Sequence, residues 1–216
     1  MAEIIYEDRA LLVVKKPAGM AVQTGRIGQM DLQSEVKNYL KGGYLGIVHR
    51  LDQPVEGLVV FAKTQRAAAS LSQQFSGTGV HKSYVAYVSC REQQEKGREV
   101  CLVDYLIKTR ENTARIAGEG EKGAKRAELT YRIEEELPAD EALGRIYRLR
   151  VELGTGRFHQ IRAQLSNAGM PILGDVKYGG SSCRNPEFSP GRIGLIADRL
   201  TFLHPETGRV CEFGLT

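Results

Sequence analysis

The sequence predicts an α+β fold built on a largely antiparallel or mixed sheet. Two observations carry this: runs of strand length outnumber helical stretches, and several such runs follow one another as hairpin-like neighbours.

In chain order, residues 10–15 (ALLVVK) form a short apolar run of strand length. Asp31 can cap a helix in which Leu32, Val36 and Leu40 recur on one face before Gly42 stops it. Residues 57–63 (GLVVFAK) form a second apolar strand. Thr64 then caps a helix that carries Ala67, Leu71 and Phe75 on one stripe and ends at Gly77. Residues 82–89 (KSYVAYVS) alternate as a strand does. The polar, locally basic stretch 108–126 reads as a solvated loop, or alternatively as a hairpin or an RNA-facing loop. Residues 126–135 (RAELTYRIEE) follow as a further strand. In 145–153 (RIYRLRVEL), Tyr147, Leu149, Val151 and Leu153 share one face, opposite Arg148, Arg150 and Glu152. A third helix carries Phe158, Ile161, Leu165 and Ala168 and ends at Gly169. Residues 179–192 are turn-rich and expected to form a surface connection.

The 216 residues suffice for one domain with a real core, or at most two small ones. No stretch is apolar for long enough to cross a bilayer, and the first residues lack the basic-then-apolar order of a signal peptide, so a cytoplasmic location is expected. Cys90, Cys101, Cys183 and Cys211 are widely spaced without a C-x-x-C pair, which favours reduced thiols over disulfides or zinc. Lys and Arg outnumber Asp and Glu by 30 to 26. That balance is compatible with a polyanionic partner without requiring one.

Three motifs can carry chemistry. His49-Arg50-Leu51-Asp52 sits between a glycine-bearing turn and the strand at 57–63, and places a carboxylate beside a fixed cation and a titratable ring. Read alone, it is more simply a surface ion pair at a turn. Gly154-Thr155-Gly156-Arg157-Phe158-His159-Gln160-Ile161-Arg162 leads from a strand through a turn into a helix, where free N–H groups can face a phosphate. It is not a dinucleotide fingerprint, and a basic solvated face is its simpler reading. Lys82-Ser83-Tyr84 opens an alternating strand. Its tyrosine is an ordinary core residue, or else a flat ring for a base and a hydroxyl for proton traffic. The scattered histidines lack ligand spacing for a metal, and G-x-S-x-G is absent.

Taken together, these segments resemble the RluA-type family of pseudouridine synthases. IIYEDRALLVVKKPAGMAVQ, GIVHRLDQPVEGLVVFAKT, KSYVAYV, GTGRFHQIRAQLSNAGMPILGDVKYGG and LTFLHPETG occur in the family's order across nearly the whole chain. The resemblance implies a single catalytic domain over residues 1–216, with a long, mixed, mostly antiparallel sheet and flanking helices and loops around a central cleft. It also implies a reaction without cofactor or metal. Carried over by position, Asp52 matches the catalytic aspartate, Tyr84 the active-site tyrosine and Arg162 the basic residue that pairs with the aspartate. Arg50 matches the arginine that helps displace the target nucleotide, and Lys16, Pro17 and Gly19 match a K-P-x-G segment near the cleft. His49, Lys82, His159, Gln160, Arg148 and Arg150 complete the expected substrate and RNA contacts.

Two departures stand out. Pro54-Val55-Glu56 replaces the hydroxyl-bearing residues usual after H-R-L-D, which changes the expected local RNA contacts. An S4-like RNA-binding domain is not seen ahead of the first motif, so recognition is expected to rest on the catalytic domain or on a partner. The expected substrate is structured RNA, ribosomal ahead of transfer RNA, with no DNA or membrane partner and a monomeric state. The rival readings are a catalytically impaired RNA-binding or ribosome-assembly factor with the same fold, and a hydrolase of nucleosides or other glycosides.

Overall fold

A computed structural model describes residues 2–25, 28–77, 79–140, 143–181 and 192–215, with backbone alone at 139–140. Most of the expected surface connection at 179–192, and Cys183, lie outside the described residues. The elements in order are β1 (Glu3–Glu7), β2 (Leu11–Lys16), α1 (Leu32–Tyr39), β3 (Gly46–Ile47), β4 (Glu56–Ala62), α2 (Gln65–Ser76), β5 (His81–Cys90), β6 (Glu99–Lys108), β7 (Ala114–Ala117), β8 (Lys125–Asp140), β9 (Gly144–Leu153), α3 (Gln160–Asn167), β10 (Leu195–Leu203) and β11 (Val210–Gly214). The chain divides into two compact units, one of Met1–Lys82 with Ile196–Thr216, the other of Ser83–Leu195.

In the first unit the strand order is β1-β2-β4-β10, with β11 paired to β10 and β3 to β4. β4 is buried from Gly57 to Ala62 because it has neighbours on both edges and side chains packed on both faces, which explains its unbroken apolar run. Leu11 and Val13 of β2, with Leu58, Val60 and Ala62 of β4, pack against Ala67 and Leu71 of α2. The alternate residues Leu12 and Val14 face Val36 and Tyr39 of α1. β10 runs parallel to β4, while the other pairs in this unit are antiparallel. Gly57 sits opposite Ala197 at φ +139, where an added Cβ would lie 2.3 Å from the Ala197 carbonyl oxygen.

Both helices begin where expected. The Asp31 carboxylate accepts the N–H of Ser34 at 2.7 Å, and Thr64 Oγ1 accepts that of Ala67 at 3.1 Å.

The second unit is an antiparallel sheet in the order β5-β9-β8-β6-β7. Here the structure corrects the solvated-loop reading of 108–126. β6 turns at Thr109–Thr113, where the Thr109 N–H donates to the Thr113 carbonyl at 2.8 Å and the two hydroxyls meet at 2.7 Å. β7 then returns along β6, giving the hairpin alternative. β8, at 16 residues, runs well beyond the expected 126–135. α3 begins at Gln160, so Phe158 stays outside its core stripe and is 38% exposed. α3 packs through Ala163 on Leu106, Ala114 and Ala127. Among the described residues no helix is long and apolar enough to cross a membrane. Cys90, Cys101 and Cys211 are free thiols.

Candidate active site and its supports

Asp52 lies half-buried in the loop between β3 and β4, with Leu51 and Val55 buried on either side of it. Its carbonyl accepts the Val55 N–H at 3.0 Å, closing a turn. The K-P-x-G loop is tied to this turn through the next residue. The Gly19 N–H donates to the Gln53 carbonyl and Gln53 Nε2 donates to the Gly19 carbonyl, each at 2.9 Å. Gly19 has φ +82, so the tight approach requires glycine.

Lys16 sits beneath this junction with no exposed surface. Its Nζ donates to the carbonyls of Pro17 (2.9 Å), Met20 (2.8 Å) and Gln53 (3.1 Å), which uses all three of its protons. Burial pushes the ammonium down to about 8, against the pull of the Asp52 and Glu56 carboxylates. The sequence placed Lys16 at the substrate; the structure places it under the loop that carries Asp52. Arg50 is exposed and donates to Gln23 Oε1 at 2.8 Å. Glu56, one of the family departures, forms an ion pair with Lys15 at 3.0 Å, so its charge is met within the protein.

His49 is a buttress. The β3–β4 ladder ends at Ile47 and Phe61, and His49 Nε2 accepts the next inward N–H, that of Val60, at 3.0 Å. Its ring stacks on Phe75 at 4.4 Å, and Lys82 Nζ lies 5.3 Å from the same Phe75 ring. Burial, then the charge of Lys82, pushes His49 down to about 3, so the ring is neutral with its proton on Nδ1. His49 and Lys82 are thus brought together around one aromatic ring.

In the second unit the G-T-G-R-F-H-Q segment closes on β8. The N–H groups of Gly154 and Thr155 and the Gln160 amide all donate to the Glu128 carbonyl, at 3.0, 3.1 and 2.9 Å. Gln160 Oε1 accepts from the Thr155 hydroxyl and from the Arg157 N–H. Gln160, expected at the substrate, is buried and holds this turn. Tyr84 lies on β5 opposite Val151 of β9 and is 8% exposed.

Arg162 is buried and bonded in parallel to Asp175, with Nε and Nη2 each 2.7 Å from a carboxylate oxygen. Its guanidinium lies 4.9 Å from the ring centroid of Tyr178. The Tyr178 hydroxyl accepts the Ala114 N–H at 2.6 Å and meets His159 Nδ1 at 2.7 Å. His159 adopts a left-handed conformation (φ 50) just before α3 and is pushed down to about 3 by burial, then by Arg162, Lys177 and Lys108. A neutral ring accepting at Nδ1 from the tyrosine hydroxyl fits this setting. Arg148 and Arg150, expected at phosphates, share Glu134 at 3.3 and 3.1 Å, and Arg148 also approaches Glu135.

Asp175, Tyr178, Gln53 and Glu134 were not singled out from sequence. Asp175 and Tyr178 stand in the quoted GDVKYGG stretch. A buried arginine requires a counter-charge, which was the available signal for Asp175.

A family model described as RNA pseudouridylate synthase matches residues 10–167. The chain belongs to this family. As a member of the RNA pseudouridylate synthase family, it has Asp52, Tyr84 and Arg162 within the matched span, while Asp175 and Tyr178 lie beyond it. It is 32% identical over 96% of its length to Ribosomal large subunit pseudouridine synthase C of Escherichia coli, strain K12. It is 31% identical over 98% of its length to Ribosomal large subunit pseudouridine synthase D of Zymomonas mobilis. The chain spans 64% of the first relative and 68% of the second. The solved structure of Human RNA Pseudouridylate Synthase Domain Containing 1 superposes with a TM-score of 0.79 at 24% identity, covering 100% of this chain and 83% of that one. The α+β pseudouridine synthase fold expected from sequence is therefore the fold of this chain.

Proposed function

We propose that this chain is an RNA pseudouridine synthase that isomerises uridine in structured RNA, ribosomal RNA of the large subunit first, with Asp52 as its catalytic carboxylate. The observation that carries the reading is the setting of Asp52. It is a half-buried carboxylate on a turn held by Gln53, Gly19 and Lys16, within the span that matches the family. The names of the two relatives support the ribosomal substrate.

The reaction breaks the C1′–N1 bond of uridine, rotates the uracil, joins C1′ to C5 and moves the C5 proton to solvent while N1 regains one. An ionised carboxylate can attack the sugar, take a sugar proton, or stabilise positive charge at C1′ as the bond breaks. One carboxylate suffices because the departing uracil is a stable anion that must be kept. Water is excluded so that the base is not lost by hydrolysis.

Tyr84 and Arg162 take the roles the resemblance gives them. Tyr84 provides a ring against the uracil and a hydroxyl for the C5 proton, and Arg162 a fixed positive charge favouring the ionised aspartate. The target uridine leaves its stack before reaction, and Arg50 fills the space it vacates. Lys16, His49 and Gln160 act as positioning residues rather than RNA contacts, and Arg148 and Arg150 as a surface ion network. The protein works without a cofactor, as a cytoplasmic monomer.

The test is a transcriptome-wide pseudouridine map comparing cells that carry wild-type protein with cells that carry Asp52→Ala. Sites lost only in the mutant are the expected result. Identical maps, with RNA binding retained, would replace the enzyme by an RNA-binding factor. Released free uracil would replace it by a hydrolase.

A further inference from the structure

A cavity of about 430 Å³ opens where the β6–β7–β8 hairpin meets the turn before α3, lined by Leu106, Lys108, Lys125, Gly156, Arg157 and Phe158 among others. Its two lysines share a face of the sheet for a reason of register. Lys125 pairs opposite Leu106, and Lys108 lies two residues beyond Leu106 on the same strand. Leu106 itself is buried against Ala163 of α3, so both ammonium groups stand on the helix-facing side, past the end of that small core.

The third cation is pre-set. Arg157 donates its backbone N–H to Gln160 Oε1 and its Nε to the Arg126 carbonyl, each at 2.9 Å, while its two terminal nitrogens make no hydrogen bond to a described residue. Among the described residues, no carboxylate lines the cavity. The nearby acidic groups are engaged elsewhere. Glu119 accepts from the Tyr105 hydroxyl, Glu121 pairs with Arg115, and Glu128 pairs with Arg126. At the rim, the Phe158 ring stacks on His159 at 3.8 Å and carries Lys108 Nζ at 4.6 Å.

We propose that this cavity binds a phosphodiester of the substrate RNA, in a nucleotide other than the reacting uridine. This deepens the synthase reading and rests on it for the identity of the RNA. A planar guanidinium with two free nitrogens, flanked by two ammonium groups, matches a phosphate bearing one negative charge and two anionic oxygens. The volume is in the range of sites that take one small-molecule-sized ligand. The half-exposed Phe158 offers a flat apolar surface to the attached base or ribose. The cavity, rather than the Arg148–Arg150 face, is then the phosphate contact of this unit.

The experiment measures binding of a structured RNA fragment by the full chain across a salt series. The variant is Lys108→Gln/Lys125→Gln/Arg157→Gln. A control of equal charge, Lys37→Gln/Lys41→Gln/Arg66→Gln, removes exposed cations far from the cavity in sequence. The cavity variant is expected to bind at least tenfold more weakly and to lose about 0.7 from the slope of log K against log salt, the value for one phosphate contact. Lys125→Gln alone, the milder change, is expected to lose a smaller part of that slope and of the affinity. Wild-type slope and affinity in the cavity variant, or an equal loss in the control, would overturn the proposal. So would the absence of any RNA binding by wild type. Binding of uridine monophosphate that the variant abolishes, with RNA affinity unchanged, would assign the cavity to a free nucleotide and also overturn it. If wild type binds RNA with a slope the cavity variant lacks yet forms no pseudouridine, the subsite is supported and the enzyme reading falls.

Discussion

The ammonium of Lys16 donates to the main-chain oxygen of Gln53, the residue after Asp52, across 3.1 Å, and the same nitrogen holds two carbonyls of the preceding loop. One buried side chain therefore sets the spacing between two loops. Lys16→Met leaves the Pro17 and Met20 carbonyls without this donor, while the Gln53 carbonyl keeps the Gly19 N–H. It is expected to lower stability by about 2 kcal/mol, at 1–3 kcal/mol for each of two unsatisfied groups less relaxation. Denaturant unfolding measures the loss, and single-turnover pseudouridine formation should slow even where the variant is fully folded.

The pH dependence of that contribution has a definite sign. Lys16 is pushed from 10.5 down to about 8 in the folded chain. Between about 8 and 10.5 the unfolded chain holds this proton and the folded chain does not, so stability rises with pH across that window. The wild type should gain up to about 3 kcal/mol relative to Lys16→Met over the window. A stability difference that stays flat there would show that Lys16 keeps its ordinary affinity for the proton.

His49→Phe keeps a ring against Phe75 and removes the acceptor for the Val60 N–H. The expected loss at neutral pH is about 1–3 kcal/mol. Because the folded chain resists protonating His49 until about pH 3, the unfolded chain takes the proton first as pH falls below 6.5. The wild type should therefore lose its advantage over the variant progressively between pH 6.5 and 3, as read by unfolding at a series of pH values.

Gly57→Ala places a methyl group 2.3 Å from the Ala197 carbonyl oxygen, at a positive φ, in a buried parallel strand pair. Neither backbone moves without breaking ladder bonds. The expected loss is about 3 kcal/mol or more, visible in thermal unfolding.

Asp175→Asn leaves the Arg162 guanidinium buried without its bidentate counter-charge. The expected destabilisation is about 3–5 kcal/mol. Asp175→Glu keeps the charge and should recover part of both stability and turnover, a rescue that a steric role for Asp175 would not give.

How much of this was legible in the sequence follows from where each signal resides. β2 and β4 were readable because strands buried on both faces carry continuous apolar runs. α1 and α2 were readable because Asp31 and Thr64 announce their starts. β6 was not, since most of its residues are exposed or half-exposed and only Leu106 is buried. β7 was hidden among the turn residues and charges of the hairpin. The candidate carboxylate Asp52 is marked by a local motif, whereas the residues that hold its loop are not. Lys16 reaches Gln53 across 37 positions, and His49 reaches Val60 through a main-chain N–H that every non-proline residue possesses. Chemistry local in sequence is written in the motif. The bonds that hold it are long-range and use generic groups.

The first unit is assembled from both sides of an interruption, since Met1–Lys82 is completed by Ile196–Thr216. β10 pairs with β4 at Glu56 and Gly57, a few residues beyond Asp52, and Leu200 and Phe202 complete the core beneath α2. During synthesis the ribosome therefore releases the H-R-L-D segment more than 140 residues before the strand that lies beside its exit, as read from Asp52 and Ile196. Within Ser83–Leu195, β5, β9, β8, β6 and β7 pair with one another, so this antiparallel sheet can form before Ile196 emerges. The loop that carries Asp52 is thus framed on one side by residues made long after it.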